Sequence, residues 1–248
     1  MVKGIDVFRD YFRDYTDEYV LIGGAACDIS FQDYGSDFRA TKDLDMVLIV
    51  EALNSEFGER FWEFIRDGGY QNRAKSSEIP QFYRFDKPSA AGFPSMIELF
   101  ARADWILDNR TELMPIHIDD RLSSLSAILL NASYYKLLLD GRVTVDGFSV
   151  LKPSCLIPFK AKAWIDLNQR AQAGEHVDSR DMKKHKNDII RLASELPLDR
   201  CELPEEIRAD MLTFIALTEI TQQDIRNMGI KGVTAEEIIQ ILLSTYNI

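Results

Sequence analysis

The sequence predicts an α+β chain: a mixed β-sheet with flanking helices over residues 1–152, followed by a helical bundle over residues 153–248. Three observations point that way. Up to about residue 151, short apolar runs bounded by turn residues alternate with segments of helical period. The stretch YVLIGGAA, residues 19–26, reads as strand, tight turn and helix opening. From Pro153, which suits the first turn of a helix, and wholly from Pro158, only helix-period segments follow.

Taken in order, Ile5, Phe8, Phe12 and Tyr15 fall at helical spacing and predict a lead-in helix within residues 3–17. Tyr19–Ile22 is a short strand ending at Gly23-Gly24, and residues 43–50, DLDMVLIV, form the next strand. Residues 55–67 place Phe57, Phe61, Trp62, Phe64 and Ile65 on one side of a helix that Gly68-Gly69 stops. Residues 81–86 and 95–102 are two strands joined by KPSAAGFP, a loop rich in Pro and Gly. Residues 112–118 and 124–130 read as further strands or edge segments, 131–139 as a helix, and 142–151 as a strand pair broken at Gly147. The bundle is then built from FKAKAWIDLNQRAQAG, SRDMKKHKNDIIRLASEL, PEEIRADMLTFIALTEI and TAEEIIQILLSTYNI.

Composition narrows the class. A chain of 248 residues buries a core without covalent cross-links, and Cys27, Cys155 and Cys201 are too few and too scattered for a disulfide framework or a C-x-x-C metal site. Its apolar runs fall short of a membrane span and MVKGIDVFRDYF lacks the apolar core of a signal peptide, so a cytoplasmic protein with no membrane partner is expected. The net charge of −11 argues against a nonspecific grip on long nucleic acid. The charge is uneven: residues 152–191 hold nine Lys/Arg against five Asp/Glu, a strip fit for a triphosphate or a tRNA end. Residues 195–248 hold four against ten and suit a basic partner.

The chemistry gathers in residues 19–50. Glycines at a strand-to-helix turn let backbone N–H groups approach a ligand, and the following helix N-terminus favours phosphate oxygens. Asp43 and Asp45, two apart on a strand, share a face with Cα atoms roughly 6.7 Å apart. Two such anions repel by roughly 2 kcal/mol at an effective dielectric near 20, so that one holds a proton or a divalent cation resolves the conflict. Hard oxygen donors suit Mg²⁺ together with substrate phosphates. Glu98, inside the apolar run Met96-Ile97-Glu98-Leu99-Phe100, is the third candidate, because an acid there needs a charge partner or a wet sheet edge. Asp104 and Asp119 stand in reserve. His117, in I-H-I-D-D, has no sequence-near partner in His176 or His185 and reads as a structural histidine.

The order G-G-A-A, spacer, R-x-T-x-D-L-D, from Gly23 through Arg39 and Thr41 to Asp45, resembles the polymerase-β-like nucleotidyltransferase superfamily, and within it the AbiEii-type toxins and minimal nucleotidyltransferases. Eighteen residues separate Gly24 from Asp43, longer than that superfamily's usual spacer, which marks a loop around residues 31–38 as an insertion. The resemblance implies that fold, a C-terminal helical bundle closing a nucleotide cleft, and two Mg²⁺ ions held by Asp43, Asp45 and Glu98. It implies nucleotide contacts from Gly23, Gly24, Arg39 and Thr41; Arg39 reaches a phosphate or pairs with Asp43. Lys160 in I-P-F-K-A-K-A-W and Lys186-Asn187-Asp188 match the family's phosphate-facing helices, Lys162 less closely. Without the resemblance, Lys183, Lys184 and Lys186 are a solvated helix face.

The implied reaction transfers a nucleoside monophosphate from a nucleoside triphosphate to a hydroxyl, on a tRNA 3′ end or a protein. The implied setting is a toxin paired with an antitoxin protein. Two alternatives stand beside it: a small-molecule nucleotidyltransferase acting on an aminoglycoside-like cation, and a non-catalytic nucleotide- or partner-binding module on the same scaffold.

Overall fold

The computed structural model describes residues 2–49, 51–72, 82–101 and 131–248. Asp104, His117, Asp119, the start of the 81–86 strand and the segments 112–118 and 124–130 lie outside the described residues. Two compact units result, one from Met1–Leu130 with Arg142–Lys152 and one from Asn131–Gly141 with Pro153–Ile248.

The first unit is an α+β assembly. In chain order it contains α1 (Ile5–Phe12), β1 (Tyr19–Ile22), α2 (Gly23–Asp33), β2 (Asp43–Leu48), α3 (Ser55–Gly68), β3 (Gln71–Asn72), β4 (Phe82–Asp86) and β5 (Met96–Ala101). The later hairpin β6 (Arg142–Val145) and β7 (Phe148–Leu151) completes a mixed sheet of order β3-β4-β5-β2-β1-β7-β6. β2 runs parallel to β5, and β7 parallel to β1, while the remaining neighbours are antiparallel. β1 and β7 are buried at every position, as strands covered on both faces must be.

Local chemistry accounts for the boundaries. Helix α1 ends at Phe12, sooner than the apolar spacing suggests, because the acidic stretch that follows turns to enter β1. Its inner residues Phe8 and Phe12 meet Tyr19 of β1 and Phe64 of α3 with ring centroids 5.3–6.2 Å apart. Such aromatic pairs each add about 0.5–1.5 kcal/mol beyond the area they bury. Asn54 caps α3 by accepting from the Phe57 N–H, and Gly69, at φ +58°, ends it. In the β6–β7 turn both Asp146 and Gly147 take positive φ, the conformation a tight Asp-Gly hairpin requires. The segment expected as a loop from residue 31 is helical as far as Asp33, with Phe31 packed on Phe38 at 4.9 Å. The two-residue β3 is too short to carry a period and was not expected from sequence.

The second unit is helical: α4 (Ala132–Asp140), α5 (Pro153–Gln172), α6 (Ser179–Glu195), α7 (Glu205–Leu217), α8 (Gln222–Asn227) and α9 (Ala235–Tyr246). Edge-to-face ring pairs Tyr134–Phe159 and Trp164–Phe214 join α4 to α5 and α5 to α7. Thr221 and Thr234 build capping boxes at α8 and α9. The short α8 was not anticipated. Among the described residues no helix is long and apolar enough to cross a membrane.

Helix α5 starts at Pro153 and carries Pro158 in its interior. A proline there has no N–H to give the carbonyl four residues back, which is that of Ser154. The Tyr246 hydroxyl donates to that carbonyl at 2.8 Å instead. Tyr246→Phe should therefore cost about 1–2 kcal/mol, the loss of a buried hydrogen bond with one partner left unmet. Urea unfolding of the two proteins measures it, and equal stability would show that the contact carries no weight.

Candidate active site

The site is assembled where β1 gives way to α2. Ile22 pairs with Asp45 across the antiparallel β1–β2 ladder, and Asp45 pairs with Glu98 across the parallel β2–β5 ladder. Glu98 in turn lies opposite Arg84 on β4. Register partners project to one side of a sheet, so Arg84, Glu98 and Asp45 form a row across three strands, with Asp43 two residues along on the same side.

Gly23 has φ +66°, and a Cβ added there would fall 1.9 Å from Asp45 Oδ2. The Asp45 carboxylate thus occupies the space a side chain would take, at the amino end of α2, where negative charge is favoured. A Cβ on Gly24 would fall 2.5 Å from Thr41 Oγ1. The glycine pair is needed twice over, for a conformation and for close approach. Gly35 offers a control, since it also has positive φ but nothing within 4 Å of an added Cβ. Gly35→Ala should cost the conformational term alone, about 1–2 kcal/mol. Gly23→Ala should cost clearly more in the same urea titration, because Asp45 must also move; equal losses would mean that the carboxylate yields freely.

Glu98 is only 6% exposed, which rules out the wet-edge reading of that residue. Arg84 donates to its Oε1 from Nε at 3.0 Å and from Nη2 at 2.6 Å. Burial nevertheless pushes the Glu98 carboxyl up to about 8, with the charge of Asp45 and a hydrogen bond to it acting in the same direction and Arg84 opposing. The ion pair and the raised value agree once the two acids are taken together. Burial and the neighbouring Asp45 carboxylate favour the protonated form of Glu98, and because the two acids interact the raised value belongs to the pair. Beside the Asp43–Asp45 spacing that the sequence gives, the register thus sets a second acid, Glu98, next to Asp45.

Sequence reasoning overlooked Arg84. A cation in the middle of F-Y-R-F-D carries the same signal that singled out Glu98, a charge inside an apolar strand, but only the register shows that the two face each other. Asp86 also falls on this side, in register with Met96 and so with Asp43. Arg39 is half-buried, with its guanidinium 5.2 Å from the centre of the Phe38 ring.

Within the helical unit, Lys160 Nζ lies 2.8 Å from Asp188 Oδ2, and both side chains are buried. Lys186 bonds Asp224 Oδ2 at 3.0 Å and the Glu219 carbonyl at 3.3 Å. Lys162 lies 3.3 Å from Asp210 Oδ1. Each lysine matched by the resemblance therefore already has a protein acceptor.

Among the described residues no three His, Cys, Asp or Glu side chains stand as a ready-made metal cluster. The donor chemistry nonetheless suits a hard cation: Asp43, Asp45 and Glu98 offer only oxygen, and the charge of Asp45 beside the buried Glu98 disfavours two bare carboxylates there. A cavity of about 450 Å³ elsewhere in this unit is lined by α1, the far end of α2 and the β6–β7 turn, including Arg9, Asp33 and Asp146, and shares no residue with this row.

A scan against protein-family models and a search of curated proteins each give no match. Among solved structures, an antigenic nucleotidyltransferase-like protein from Paracoccidioides brasiliensis is similar over 90% of this chain and 88% of its own, at 13% identity and a TM-score of 0.45. The antibiotic-resistance factor ANT(2'')-Ia is similar over 86% and 92%, at 10% identity and a TM-score of 0.38. JHP933 from Helicobacter pylori is similar over 97% and 88%, at 12% identity and a TM-score of 0.34.

Proposed function

We propose that this chain is a Mg²⁺-dependent nucleotidyltransferase that moves a nucleoside monophosphate from a nucleoside triphosphate to a hydroxyl acceptor. The acceptor is a tRNA 3′ end or a protein side chain, and the setting is an AbiEii-like toxin restrained by an antitoxin. One observation supports the chemistry above others: Asp45 fills the notch left by Gly23 and lies in register beside the buried Glu98, so a helix N-terminus and an acid pair meet at one place.

Asp43, Asp45 and Glu98 are the residues that would hold Mg²⁺. When bound, the ion supplies Lewis-acid stabilisation of phosphoryl charge and lowers the pKa of a coordinated hydroxyl. Gly23 and Gly24 let Asp45 and Thr41 close in on the turn, and the backbone N–H groups that open α2 would take phosphate oxygens. Arg39 joins the nucleotide ligands through the resemblance. Glu98, held toward its protonated form without a metal, would give up that proton on binding Mg²⁺, so metal binding at this site should release a proton. Lys160, Lys186 and Asp188 join the nucleotide ligands through the resemblance alone.

The test is transfer of label from each nucleoside triphosphate, with Mg²⁺, into total cell RNA, into lysate protein or into an added aminoglycoside. Label in RNA or protein is expected, and Asp45→Ala should lower it at least about 100-fold. Growth arrest on expression, relieved by Asp45→Ala, would support the toxin setting. Label in the aminoglycoside alone would move the reading to a small-molecule enzyme. Triphosphate binding with no transfer to any acceptor would leave a binding module.

A further inference from the structure

Outside the acid site, two sulfurs lie unusually close. Cys155 and Cys201 are thiols, not disulfide-bonded, with Sγ atoms 3.9 Å apart. They are 1% and 6% exposed, and both belong to the helical unit. Cys155 is in the first turn of α5, whereas Cys201 lies in the irregular segment between α6 and α7. The same spot is already laced twice. The Cys201 N–H donates to the Thr245 carbonyl at 2.9 Å, and the Tyr246 hydroxyl donates to the Ser154 carbonyl at 2.8 Å. The Cys155 sulfur sits where Gly141 leaves room, since a Cβ on that glycine would fall 2.5 Å from it. A disulfide needs sulfurs about 2 Å apart, so the pair is short of bonding by roughly the reach of a side-chain rotation.

We propose that Cys155 and Cys201 are a redox lock, closing to a disulfide under a hydroperoxide and reopening under a dithiol. Cys201, the less buried residue of the two, attacks the peroxide. The O–O bond breaks, an S–O bond forms, and Cys201 becomes a sulfenic acid with loss of water or an alcohol. The Cys155 thiolate then attacks that sulfur. An S–S bond forms, the S–O bond breaks, and the hydroxyl leaves as water with the proton from Cys155. The two thiols together give up two electrons, which reduce the peroxide. The bond spans 46 positions of sequence, a loop that includes α5 and α6, so it restricts the unfolded chain and fixes the start of α5 against the segment leading to α7.

The experiment uses the full chain treated with hydrogen peroxide, capped with an alkylating agent, digested and read by mass spectrometry without reductant. A Cys155–Cys201 linked peptide is expected, with Cys27, buried in the other unit, recovered as the alkylated thiol. The thermal midpoint followed by circular dichroism should rise by about 10 °C and fall back with dithiothreitol. Cys155→Ser and Cys201→Ser should show neither change. Recovery of both cysteines as alkylated thiols, their conversion to sulfinic or sulfonic acids without a link, or a link that leaves the midpoint in place would each overturn the lock. The wild-type peptide map reads the bond even if a serine variant fails to fold.

Discussion

Lys160→Met is expected to destabilise the folded chain by about 3–5 kcal/mol, a large part of a typical domain's stability. The reason lies in the partner left behind. Asp188 is fully buried and its Oδ2 is 2.8 Å from the Lys160 ammonium, so removing the lysine takes away the cation that faces a buried carboxylate. Replacing both members, with Lys160→Met and Asp188→Leu together, should restore most of the loss, since an apolar pair of similar volume often matches a buried ion pair. Urea denaturation of the two singles and the double gives the coupling directly. A single variant within 1 kcal/mol of wild type would show that the site admits water or relaxes. The result bears on function as well. If Lys160 also touches phosphate, its triphosphate affinity should fall by more in the single variant than unfolding explains, and the stability-restored double variant would expose that remainder.

The second large effect is a dependence on pH. Glu98 in the folded chain titrates near 8 against an ordinary value of 4.5, so the folded state keeps a proton that the unfolded state releases. Stabilisation from this group is complete below about pH 4.5 and is lost as pH rises through 8, by roughly 3–5 kcal/mol in all. Glu98→Gln keeps the shape and the neutral form. It should match wild type near pH 5, exceed it in stability at pH 9, and show a flatter profile between. Guanidinium unfolding at a series of pH values checks this, and parallel profiles for the two proteins would mean that Glu98 is not held protonated in the folded chain. If the chain carries out the proposed transfer, the same variant should lose it at every pH, which separates the chemistry of the carboxyl from its effect on folding.

Much of the fold was legible because it follows from periodicity and punctuation. The glycine pair, the stops at Gly68-Gly69 and Asp146-Gly147, and the apolar stripes of α3 and the bundle helices are local signals, and the elements stand where those signals put them. One feature is not local. The helix starts at Pro153 as expected and runs on through Pro158, where Tyr246, nearly ninety residues on, supplies a donor to the carbonyl that the proline leaves unmet. No reading of residues 153–172 by themselves contains that partner.

For the site, sequence alone determined the ingredients: two aspartates of one strand facing the same way, a turn that only glycines allow, and a glutamate out of place in an apolar strand. It did not determine the pairing. Register between strands is a tertiary property, set by which faces bury together, and a shift of one residue would have turned Glu98 away from Asp45. The folded chain fixed that register, setting Glu98 beside Asp45 with Arg84 opposite, so that two acids and a cation from three strands form one row. It likewise decided that Lys160 meets Asp188 inside the bundle, because burial and partnership depend on the packing of helices that are distant in sequence.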